Sequence, residues 1–139
     1  MINSYLIREK LDLIRKYYQD LEEILKYPLK EIKADFVKIY ALERIFQLIV
    51  DEIIDINNHI IRNSNFEIPD DFQSTFLILS QNKVLPESFA KKIAPIVGLR
   101  NRLVHRYEKI DKNLFLKMLY KEKEDFKKYI KFIEKFLEK

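Results

Sequence analysis

The stretch SYLIREKLDLIRKYYQDLEEILKYP, Ser4 to Pro28, places Ile7, Leu11, Ile14, Tyr18, Leu21 and Leu25 at alternating four- and three-residue steps, with charged side chains between them. Steps of that size return to one side of an α-helix, so the segment predicts a helix with a single apolar stripe. Ser4 is placed to cap it, and Pro28, which has no amide hydrogen to donate, breaks the pattern.

The same period carries through the rest of the chain. A second, longer helix is expected from about Glu31 to Arg62, stopped by the polar cluster Asn63, Ser64 and Asn65. A shorter one follows Pro69 over Asp70 to Ser80. Pro86 suits the first turn of the next helix, which should reach Tyr107 with an irregularity where Pro95 lacks a donor and Gly98 loosens the chain. The last helix starts near Asp111 to Asn113 and carries Phe115, Leu119, Phe126, Tyr129, Ile130, Ile133 and Leu137 on one side. The expectation is an all-α fold, an up-down bundle of four main helices plus a short one, formed by residues 1–139 as a single domain.

Composition agrees. One glycine and four prolines in 139 residues are too few for the turns of an all-β fold. The chain is long enough to bury a core but short for an enzyme with a built-in cleft, which leaves a second subunit to complete a site. The absence of cysteine removes thiol nucleophiles, disulfides and cysteine-ligated zinc, and two histidines argue against a histidine-rich metal site; no metal or other cofactor is expected. No run of about 18 apolar residues marks a membrane span, and the first residues lack the apolar core of a signal peptide, so a cytoplasmic protein with no membrane partner is expected. The net charge of +4 permits nucleic-acid binding without demanding it.

Two features resist a purely structural reading. In the second helix Phe36, Ile39, Tyr40, Val50, Ile54 and Ile61 form one stripe, interrupted by Glu43 and Gln47, while Leu42, Ile45, Ile49, Ile53, Ile56 and Ile60 form a second flank. A helix apolar on two sides is either central in the bundle or lends one side to a partner subunit. The other feature is GLRNRLVHRYEKID, Gly98 to Asp111. Here Ile93, Ile96, Val97, Leu103, Val104 and Tyr107 share a face with Arg100 in their midst. A desolvated, unpaired arginine is costly, so Arg100 must meet a carboxylate, reach a cleft or have its helix distorted to free it, and Glu43 is the natural structural partner. His105 lies about 140° around the helix from Arg100 and about 7.5 Å along it, on a neighbouring side. Asn101, one turn before His105, is placed to orient the imidazole. The other histidine, His59, stands near the end of the second helix, where it suits a capping interaction with terminal carbonyls rather than catalysis.

Arg100-Asn101-Arg102-Leu103-Val104-His105-Arg106-Tyr107 resembles the R-x4-H-x-Y motif of the HepT-like branch of the HEPN superfamily, small all-α ribonuclease toxins. The segments ALERIFQLIVDEIIDINNHII and VLPESFAKKIAPIVGLRNRLVHRYEKID are similar to that family's long helix and to its motif helix with its surroundings. The resemblance implies a toxin of a toxin–antitoxin pair: a metal-independent endoribonuclease, with Arg100 and His105 catalytic in the cleft of a homodimer and RNA as substrate. It implies neutralisation by a minimal nucleotidyltransferase antitoxin that attaches AMP to Tyr107. Arg102 and Arg106 become candidates for RNA phosphate contacts. The alternative is a non-catalytic helical module that binds a nucleotidyltransferase partner or a nucleotide, with Arg100 buried as a structural residue.

Overall fold

The computed structural model describes residues 1–105 and 110–139. Eight helical segments follow one another there: α1 (Ser4–Leu25), α2 (Leu29–Lys33), α3 (Phe36–Arg62), α4 (Ser74–Gln81), α5 (Glu87–Ile93), α6 (Ile96–His105), α7 (Lys112–Glu122) and α8 (Glu124–Leu137).

The stripe of α1 is its buried face: Ile7, Leu11, Ile14, Tyr18, Leu21 and Leu25 are all in the core. Its cap is Asn3 rather than Ser4. The Asn3 side chain accepts from the Leu6 amide at 3.0 Å, and Ser4 is the first helical residue. The expected second helix begins in two pieces. Asp35 interrupts it, taking an extended backbone and capping α3 by accepting from the Val37 and Lys38 amides. The short helix opens at Ser74 rather than Asp70, because Asp71 and Ser74 exchange side-chain and backbone hydrogen bonds that hold a turn in front of it.

Two further helices are divided. Pro95 separates α5 from α6, as its missing amide hydrogen requires. Gly98, by contrast, lies inside the regular α6 and does not loosen it. Lys123 divides α7 from α8: it keeps right-handed helical angles, φ −56° and ψ −32°, but the Phe126 amide turns back to the Lys123 carbonyl to start a new helix.

Cross-links fix the directions. Lys10 bonds Glu52 and Asp55, and His59 meets Asn3, so α1 and α3 are antiparallel. Arg15 with Glu134 and Lys123 with Glu22 set α7–α8 antiparallel to α1. Phe89 against Phe132 and Lys92 against Asp125 set α5 antiparallel to α8. The result is the expected up-down bundle: α1, α3, α5–α6 and α7–α8 alternate in direction, with α2 and α4 as short additions.

The long helix α3 is central over most of its length. Ile39, Leu42, Phe46, Ile49, Val50, Ile53, Ile54, Ile56, Ile60 and Ile61 are all buried. Its first turns are different: Phe36, Val37 and Tyr40 remain 65%, 60% and 59% exposed, although Phe36 and Tyr40 pack edge to face. One polar chain crosses the core. Tyr129 donates to Asn57 at 2.6 Å, Asn57 donates to Thr75, and Thr75 donates to the Phe72 carbonyl. It ties α8, α3 and α4 together without leaving a buried polar group unsatisfied.

Candidate active site

Helix α6 carries the motif between two neighbours. Val97 buries one side, where α6 packs on α3. On another side Ile96, Leu99 and Arg102 border a groove of about 300 Å³ with Met118, Glu122, Asp125 and Phe126 of α7–α8. Helix geometry places Asn101, His105, Gly98 and Arg102 in that order around the arc between these neighbours.

Arg100 reaches back toward α3. Its Nε donates to Asp51 Oδ1 at 2.7 Å and its Nη1 donates to Asn101 Oδ1 at 3.1 Å. The carboxylate that meets Arg100 is thus Asp51, about two turns beyond the expected Glu43 on the same side of α3. Asn101 uses its carbonyl oxygen on the guanidinium. Both ends of the pair keep solvent contact, with side-chain exposures of 23% for Arg100 and 35% for Asp51. The two bonds hold the guanidinium plane through Nε and one Nη1 hydrogen, and the Nη2 edge takes no part in them. A fork pinned along one edge is suited to receive an anion on another.

His105 is exposed, as is Arg102. An exposed imidazole is open to a substrate arriving from solvent. Gly98 adds space on this arc: a Cβ built there would meet nothing within 4 Å. Arg106 and Tyr107 lie outside the described residues.

The groove beside Arg102 has its own charges. Lys92 Nζ stands 3.1 Å from both Glu122 Oε2 and Asp125 Oδ1, but only the Asp125 contact has hydrogen-bond alignment. Burial pushes the Asp125 carboxyl up, whereas Lys92 holds that of Glu122 down.

His59 sits elsewhere, at the far end of α3. Its Nε2 accepts from the Asn3 amide at 3.0 Å, so it serves the start of α1 instead of the carbonyls that end its own helix. Asn63 takes that second role, donating to the His59 carbonyl. Burial, then the charges of the Met1 amino group, Arg62 and Lys10, lower the His59 pKa and keep the ring neutral as an acceptor.

Asp51 is the residue of this site that the sequence reading missed. The signal was available: Asp51 falls on the same helical side as Glu43, within the same interrupted stripe.

Residues 14–133 match the ribonuclease HepT-like family. The chain belongs to that family. It is 32% identical over 143 residues to the tRNA nuclease HepT of Aphanizomenon flos-aquae, an alignment covering 98% of this chain and 92% of that protein. It is 29% identical over 104 residues to the mRNA nuclease HepT of Shewanella oneidensis, covering 75% and 78%. Among solved structures, the tri-AMPylated Shewanella oneidensis HEPN toxin in complex with MNT antitoxin superposes with a TM-score of 0.86 at 26% identity. That match covers 92% of this chain and 96% of the toxin. The HepT-like fold and family expected from the motif are therefore those of this chain. Among the described residues no helix is long and apolar enough to cross a membrane.

Proposed function

We propose that this chain is the toxin of a toxin–antitoxin pair, a metal-independent endoribonuclease that cleaves RNA in the cleft of a homodimer with Arg100 and His105. Ribonuclease activity accords with its family and with the nuclease relatives. The observation that carries the site is the arrangement on α6: a half-buried arginine pinned by Asp51 and Asn101, with an exposed histidine on the neighbouring arc. It also weighs against the non-catalytic alternative, which needed Arg100 buried as a structural residue.

The chemistry follows from what RNA brings. Its 2′-hydroxyl is the nucleophile. Attack on the adjacent phosphorus forms the new P–O bond as the bond to the 5′-oxygen breaks, giving a 2′,3′-cyclic phosphate. His105 moves a proton at the reacting oxygens. Arg100 offers its free edge to the phosphate oxygens as charge grows on them, held by Asp51 so that little reorganisation is needed. A two-fold dimer supplies a second imidazole, so acid and base can come from different subunits.

Purified His105→Ala and Arg100→Ala should each lose RNA cleavage, and cleavage by the unsubstituted protein should persist with chelator. The His105 variant should keep its thermal midpoint, since the side chain is exposed. Cleavage by His105→Ala at the unsubstituted rate would overturn the assignment.

The partner in this reading is a minimal nucleotidyltransferase antitoxin, supported by the AMPylated toxin–antitoxin complex among the similar structures. Its target here is Tyr107, two residues beyond His105. AMP on the tyrosine oxygen, with loss of pyrophosphate from ATP, would add an anionic nucleotide two residues along the chain from His105 and silence the enzyme. Co-expression should add adenylate mass to the Tyr107 peptide and not to that of Tyr107→Phe. Equal modification of both would remove Tyr107 from the mechanism.

A further inference from the structure

The charge of this chain is not spread evenly. Residues 1–111 hold seventeen basic and seventeen acidic side chains, whereas residues 112–139 hold nine lysines and five acids. The whole net charge of +4 therefore lies on α7, α8 and their ends.

Those lysines also share a direction. Lys117 and Lys121 stand one turn apart on α7, and Lys128, Lys131 and Lys135 fall within about 60° of one another on α8. All five are exposed, and on each helix they lie opposite the buried residues, Phe115 and Leu119 on α7 and Phe126 and Ile133 on α8. None of the five is in an ion pair among the described residues. Two of the acids nearest them are drawn toward α1: Tyr18 donates to Glu124, and Arg15 holds Glu134. The remaining central lysines are spoken for, Lys123 by Glu22 and Lys127 by the ring of Tyr18.

The stripe connects to the motif. Arg102 faces Met118 and Glu122 across the groove, and Lys117 and Lys121 are their neighbours on the solvent side of α7. Arg102 thus stands between the arc of His105 and the lysine face, with the carboxylates of Glu122 and Asp125 in the groove held by Lys92.

We propose that this face is an RNA docking track, which holds the phosphates of a strand whose scissile bond lies at Arg100 and His105. The proposal rests on the ribonuclease reading and extends it from the cleavage point to the rest of the substrate. Exposed lysines fit phosphate, which they bind as point charges without reading sequence. They are depleted in protein interfaces, which use aromatic and arginine anchors. A membrane surface is a poorer fit, because the apolar side that such a helix would insert is already in the core.

The test replaces the five lysines together by glutamine. RNA binding is measured by fluorescence anisotropy on the His105→Ala chain, so that substrate is not consumed, across a range of salt. Each single-strand phosphate contact contributes about 0.7 to the slope of log affinity against log salt, so the five-fold variant should show a slope shallower by about 3.5. In the chain with His105 intact, kcat/KM for a long RNA relative to that for a short oligonucleotide should fall tenfold or more, through KM. An unchanged circular-dichroism melt establishes that the fold is retained. An unchanged salt slope would overturn the track. So would a loss confined to binding of vesicles of phosphatidylcholine and phosphatidylserine, or to binding of a nucleotidyltransferase partner. If the unsubstituted protein cuts no RNA, the ribonuclease reading fails, and the binding slopes still decide whether the lysines hold RNA.

Discussion

At the level of single residues the decisive contact is Arg100 to Asp51. A guanidinium on a semi-flexible side chain is useful to a developing phosphate charge only if it is already in place. Asp51 provides that by holding Nε at 2.7 Å from another helix, so Arg100 is tied to the long helix at the centre of the bundle. Asp51→Asn keeps the shape and removes the charge that fixes the fork. We expect kcat to fall by about tenfold, in the range of a lost charge-assisted hydrogen bond, with KM changed less. Since the pair is partly exposed, the melting temperature should move little. Equal kcat in the two proteins would make Asp51 a bystander. His59 makes a separate prediction. Its neutral ring accepts from Asn3, and its pKa is lowered below the ordinary 6.5, so the folded state binds fewer protons there than the unfolded chain. Stability from this group is present above pH 6.5 and is lost as pH falls through the lowered folded value. Melts between pH 7.5 and about pH 5 should show a decline that is shallower in His59→Gln, whose amide oxygen accepts at any pH in that range. Parallel curves would remove the histidine from the acid response.

At the level of elements, periodicity carried most of the fold. The six-residue stripe of α1 is its buried face without exception, and Pro28, Pro86 and Pro95 each mark a boundary of a helix. What periodicity could not show was set by local side-chain chemistry or by tertiary placement. Asp35 sits in an uninterrupted apolar pattern, and only its cap bonds reveal that α3 starts after it. Asn57 reads as a polar residue near a helix end, yet it is fully buried, because Tyr129 and Thr75 arrive from elements far along the chain. The motif was legible as chemistry, an arginine and a histidine on adjoining arcs of one helix. Its partner was not, since Glu43 and Asp51 project to the same side of α3 and the axial offset of α6 against α3 decides between them. His59 shows the same limit: it was expected to meet the carbonyls that end its own helix, but its ring accepts from Asn3 at the start of α1.

For the whole molecule, the open question left by the two-sided α3 has an answer that differs along its length. From Leu42 onward both flanks are filled by other helices of the same chain, whereas Phe36, Val37 and Tyr40 stay in solvent. Helix geometry places Phe36, Tyr40, Glu43, Gln47 and Asp51 within about 80° of one another. The exposed aromatic turn and the carboxylate that holds Arg100 thus lie on one face. A two-fold axis through that face would cover the apolar turn and bring two copies of the motif toward one cleft, an isologous interface of the kind homodimers use. We expect a dimer in sedimentation at micromolar concentration. Replacing Phe36 and Tyr40 together by aspartate should give a folded monomer, because neither side chain supports the core. That monomer should cut RNA at least tenfold more slowly although Arg100, Asp51 and His105 are untouched, since it has lost the second imidazole and the opposite wall of the cleft. A monomeric variant with full activity would place the complete site within one chain. A variant that remains dimeric would put the two-fold axis on another face.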